Sequence, residues 1–141
     1  MTNNQVKQYL MRYRHIQKSI KIKEDKIRQL QAQALDITSS ISQDVVQTSN
    51  LSGGFADFIT KAMDIQTQIQ AEMYVQHKIL AEIDLRLHNM SKCYPQLANV
   101  LYLYYLNGLT WEQVCVEMGC SWMHVVGRLH PQALDIFKNF M

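Results

Sequence analysis

Residues 121–128, Ser-Trp-Met-His-Val-Val-Gly-Arg, gather side chains suited to reading the edges of nucleic-acid bases. The guanidinium of Arg128 offers paired N–H donors that match the two acceptors of guanine, and His124 and Ser121 offer hydrogen bonds to a base edge. Trp122 and Met123 supply apolar surface of the kind that meets a thymine methyl group. If Val125 and Leu129 point inward, helical spacing turns Trp122, Met123, His124, Val126, Gly127, Arg128 and His130 outward. Only Arg128 in that outward set is reliably positive. Phosphate contacts by Lys and Arg supply most non-specific affinity for a duplex. The missing part must come from the basic stretch between Lys7 and Arg28, with Lys18 and Lys21 as its representatives, or from a second subunit.

The elements that would hold these residues are legible as starts and stops. Pro95 suits a first helical turn, where its missing N–H has no partner to lose. Leu97, Val100, Leu101 and Tyr104 then recur at helical spacing until Asn107 and Gly108 supply a stop. Thr110 with Gln113 three residues on is a capping box. It starts a short helix with Val114, Cys115 and Met118 inward. Gly119 turns the chain sharply, and Ser121 caps the helix that carries Trp122. Two short helices joined by a tight glycine turn form a helix-turn-helix. Pro131 lacks the donor for the carbonyl of Gly127 and crowds it, so the spacing predicts a kink or break there. A separate last turn over residues 132–140 then packs Ala133, Leu134, Ile136, Phe137 and Phe140.

The stretch NGLTWEQVCVEMGCS at 107–121, followed by Val125, Leu129-His130 and Ala133-Leu134, resembles the region 4 helix-turn-helix of bacterial sigma factors. More closely, it resembles phage-encoded late-gene transcription activators of the ArpU and RinA type. In that pattern a Gly-hydrophobic-Ser turn stands at Gly119-Cys120-Ser121, and a small residue at Cys115 lets the helices approach. The long helical N-terminal part with a Ser/Gly-rich interruption is similar as well. The resemblance implies sequence-specific binding of double-stranded DNA near phage promoters, with contact to RNA polymerase.

The first ninety residues carry helical periodicity of another kind. Val6, Tyr13, Ile20, Ile27, Ala34 and Ile41 form one seven-residue series, and Tyr9, Ile16, Lys23, Leu30 and Ile37 a second; only Lys23 is not apolar. Such heptads predict a helix that buries a narrow stripe against another helix. A broader stripe follows at Phe55, Ala62, Ile69, Gln76, Ile83 and Met90, with Phe58, Ile65 and Ile79 three residues on and Ile59, Met73, Leu80 and Leu87 beside it. Ser, Thr, Asn and Gly crowd residues 38–54, which predicts a loop there. Residues 1–35 hold eight basic and two acidic side chains, residues 36–90 three and seven, and residues 91–141 three of each. A basic helix folded back along an acidic one is the expected arrangement, although exposed ion pairs contribute only about 0–1 kcal/mol each and seam burial must dominate. The same stripes can also pair between two chains, so a homo-oligomer is expected.

The fold class that follows is all-α: a long antiparallel helical hairpin of coiled-coil type over residues 1–90, then a helix-turn-helix domain over residues 91–141. At 141 residues with 5 Gly and 2 Pro, 48% hydrophobic and 18% charged, the chain is neither β-rich nor disordered. No apolar run is long enough for a membrane span. The N-terminal MTNNQVKQYLMRYR has no secretory pattern, and three irregularly spaced cysteines suit a reducing interior. A cytoplasmic protein is therefore expected, and the resemblance to phage activators implies a bacterial host cell. Cys115, Cys120, His124 and His130 do not have zinc-finger spacing, so no metal is expected. No phosphate loop, carboxylate pair or nucleophile constellation is present, so neither an enzyme, a cofactor nor a small-molecule substrate is expected. The alternative to a DNA-binding regulator is a helical protein–protein interaction module that keeps a helix-turn-helix shape and grips a protein.

Overall fold

The computed structural model describes the backbone of residues 1–43 and 48–141, and the side chains of residues 1–36 and 54–141. The described chain is almost entirely helical, with no strand. Two long helices come first, α1 (Asn3–Gln43) and α2 (Thr48–Ser91). Shorter ones follow: α3 (Pro95–Leu101), α4 (Trp111–Met118), α5 (Trp122–His124) and α6 (His130–Phe137). A wide π-helical turn, Tyr102–Leu106, extends α3, and a second, Val125–Leu129, joins α5 to α6. A 3₁₀ turn at Lys138–Phe140 ends the chain. No described helix is long and apolar enough to cross a membrane.

The expected loop over residues 38–54 is largely helix instead. α1 continues through Gln43 and α2 begins at Thr48; residues 44–47 lie outside the described residues. The apolar series had already run on to Ile41 through the Ser- and Thr-rich stretch. Weak helix propensities of Ser, Thr and Asn cost only about 0.5 kcal/mol each, so helix continuity outweighs composition here.

The chain divides into two compact units, one of residues 1–16 and 76–141, the other of residues 17–75. They do not follow the division at residue 90. In the second unit Ile20 and Leu30 of α1 and Ile65 and Ile69 of α2 are buried. Lys23, the break in the heptad pattern, pairs with Glu72, which also accepts from the Ser19 hydroxyl. The bond from Lys23 holds the Glu72 carboxyl below the usual carboxylate range. In the first unit the corresponding contact runs from the Tyr9 hydroxyl to Glu82.

The core of the first unit is built from five segments. Val6, Leu10 and Tyr13 meet Ile83, Leu87 and Met90, and both sets pack on Ala98, Leu101, Tyr105, Ala133, Leu134 and Phe137. The broad stripe of α2 is thereby explained near its end, where it serves α1 and the C-terminal helices together. Ile59 and Met73, expected beside the seam, stay more than 40% exposed. A second cluster of Val100, Val114, Val125 and Leu129 holds α4 and the 122–129 helix against α3.

Candidate functional site

The capping chemistry expected from the sequence is present in full. The Thr110 hydroxyl accepts from the Gln113 backbone N–H at 3.3 Å, and the Gln113 side chain accepts from the Thr110 backbone N–H at 3.0 Å. At the other end of α4, Gly119 adopts a left-handed φ of 65°. Its N–H bonds to the Val116 carbonyl and the Cys120 N–H to the Cys115 carbonyl at 3.1 Å. That pair of bonds is a Schellman motif, which satisfies carbonyls the helix end leaves open. Ser121 then accepts from the His124 backbone N–H at 3.3 Å, so α5 starts three residues after the glycine. Cys115 and Cys120 are half-buried beside the turn. Local chemistry thus fixes where the 122–129 helix begins, and Val125 and Leu129 fix which face it buries.

The opposite face is open. Trp122 is 48% and Met123 78% exposed, Ser121, Gly127 and Arg128 are also exposed, and His124 is half-buried. Ser121, Met123, His124, Gly127 and Arg128 line one shallow concavity of about 370 Å³. Four of the five residues singled out on this helix are thereby brought together. Trp122 stands beside the concavity at the first helical position and does not line it. Lys18 and Lys21 are exposed on α1 and belong to the other compact unit. Gly127, which helical spacing turned outward but which carries no side chain, completes the lining.

Two expectations need correction. His130 does not point outward: it is buried, its Nε2 lies 2.8 Å from the Tyr105 hydroxyl, and its ring packs 4.5 Å from that of Trp111. The cause is the π-helical turn. Its closing bond runs from the His130 N–H to the Val125 carbonyl, five residues back, so His130 comes to lie nearly under buried Val125 rather than 3.6-residue spacing carrying it outward. Nor does Pro131 break the helical backbone. Leu129 and His130 keep right-handed helical dihedrals, and Pro131 sits in the first turn of α6. The wide turn absorbs the bond that proline cannot donate.

Burial, with the Lys7 ammonium nearby, pushes His130 down to about 4, so the ring is neutral at pH 7. Burial also raises the Tyr105 hydroxyl above its usual value. Tyr104 stacks on Trp111 with ring centroids 3.9 Å apart, and the Arg14 guanidinium carbon lies 4.5 Å from the centroid of the Tyr104 ring. This aromatic group ties the starts of α4 and α6 to α1, and so sets the base on which the exposed helix stands. Among the described residues, no group of three or more His, Cys, Asp or Glu is placed to hold a metal ion. Compared with protein-family models, curated proteins and solved structures, the chain has no match in any of the three.

Proposed function

We propose that this chain is a DNA-binding transcription regulator of phage or prophage origin, acting in the bacterial cytoplasm. In this reading α4, the Gly119 turn and the helix from Trp122 to Leu129 form a helix-turn-helix, and the second helix enters the major groove. The observation that carries it is the shared, solvent-open concavity of Ser121, Met123, His124 and Arg128 on the face opposite Val125 and Leu129. Arg128 reads guanine, and Ser121, His124, Trp122 and Met123 meet neighbouring base edges. Lys18 and Lys21 supply phosphate affinity. The ArpU- and RinA-like sequence pattern adds RNA polymerase as a partner. The exposed Phe55, Ile59 and Met63, spaced four residues apart on α2, support a homo-oligomer.

Fluorescence anisotropy with random duplex DNA at low and moderate salt tests the reading. Affinity that falls linearly with salt on logarithmic axes supports it, and absence of binding at low salt overturns it. On selected sites Arg128→Ala weakens binding more than on random DNA, whereas Lys18→Ala with Lys21→Ala weakens both alike.

A second reading has its own support. Val116 on α4 is 80% exposed, next in the chain to exposed Glu117, and Trp122 and Met123 add apolar surface. Exposed apolar surface suits a protein partner, and a neighbouring carboxylate repels phosphate. Binding of a protein with no salt-dependent DNA affinity would establish this alternative.

A further inference from the structure

Gly127 is the one residue of the exposed helix that the fold itself does not explain. It lies in the middle of the wide turn Val125–Leu129, whose other four members all carry side chains in the same helical backbone. Its φ is not positive, and a methyl group built on it would meet nothing within 4 Å. Neither backbone strain nor packing within the chain therefore calls for glycine. A glycine inside a helix weakens it relative to alanine. What the missing side chain does create is space: Gly127 lines the concavity, with Met123 one turn before it and Arg128 beside it.

We infer that Gly127 is a specificity-determining residue, whose bare Cα admits the C5-methyl group of a thymine next to the guanine read by Arg128. Met123, at 78% exposure, supplies an apolar wall for that methyl group. In the major groove the methyl is the feature that separates thymine from cytosine by shape and apolarity, and side-chain apolar contact is how it is read. A methyl group at residue 127 would occupy the same space. The inference rests on the DNA-binding reading, and its test separates the two.

The probe is the duplex enriched by the full-length protein from a random DNA pool, with each thymine replaced in turn by deoxyuridine, which lacks only the methyl group. Wild-type protein is expected to lose about three- to tenfold affinity at one thymine. Gly127→Ala is expected to lose at least tenfold on the thymine duplex and to recover most of it on the deoxyuridine duplex at that same position. Its thermal midpoint should rise by about 2–4 °C, as expected when a helix glycine that needs no special φ becomes alanine. Equal affinity of Gly127→Ala and wild type, alongside a large loss in Arg128→Ala, overturns the role of Gly127 and leaves the DNA reading intact. A loss that no deoxyuridine relieves overturns the thymine assignment. A midpoint lowered by several degrees overturns the claim that the fold does not need glycine. Failure of the wild type to enrich any duplex overturns the DNA reading itself.

Discussion

The two wide turns of the first unit share a length and a hydrogen-bond pattern and serve opposite ends. Tyr102–Leu106 is folded into the interior: Tyr105 is fully buried and Tyr104 stacks on Trp111. Val125–Leu129 keeps only Val125 and Leu129 inside and turns Gly127 and Arg128 to solvent. They meet through the bond between Tyr105 and His130, the residue that closes the second turn. The same backbone device thus anchors in one place and displays in the other. What decides between the roles is the side chains it carries, aromatic in the first and small or charged in the second.

Breaking the anchor should have the largest effect. Tyr105→Ala removes a fully buried ring and its bond to His130, so urea unfolding should show a loss of about 3–5 kcal/mol. A loss below about 1 kcal/mol would mean that the first turn anchors nothing. Next comes pH. His130 has a folded-state value depressed from 6.5 to about 4. Above about 6.5 it is neutral folded or unfolded and stability is level. As pH falls from there towards 4, the unfolded chain takes up a proton that the folded one refuses, and stability should drop by up to about 3 kcal/mol, then level off. His130→Gln should remove that component of the pH profile; an unchanged profile would assign it to other groups.

Smaller effects sharpen the contrast at the display side. Gly119→Ala forces a side chain into the left-handed region at φ 65° and should cost about 1–2 kcal/mol by thermal unfolding. That is the opposite sign from Gly127→Ala, although both positions have open space around an added methyl. Equal signs would show that backbone angle is not what distinguishes the two glycines. Arg128→Ala, at an exposed position with no structural partner described for it, should leave stability within about 0.5 kcal/mol while lowering DNA affinity. A large loss of stability would make Arg128 part of the scaffold.

Much of this was legible in the chain because it is local. The Thr110 and Gln113 reciprocal cap, the Gly119 turn and the Ser121 cap each depend on residues within five positions of one another. The heptad series likewise located Val6, Tyr13, Ile20 and Leu30 in the interior. Lys23 read as a defect only because its partner, Glu72, lies 49 residues away. By composition residues 38–54 read as a loop, whereas the apolar series that reaches Ile41 goes with a helix that runs on to Gln43. His130 was misplaced for a different reason: spacing arguments assume 3.6 residues per turn, and the wide turn violates that assumption locally.

The sequence by itself determined the helical class, the caps, the turn glycine and the identity of the exposed group at 121–128. These follow from hydrogen bonds and periodicities that close within a few residues. Only the tertiary structure decided that Pro131 is absorbed by a wide turn, that His130 goes inside to meet Tyr105, and that Ser121, Met123, His124, Gly127 and Arg128 share one concavity. Those outcomes depend on how a helix is rotated against its neighbours. That rotation is set by which distant side chains bury Val125 and Leu129, a choice no local window contains.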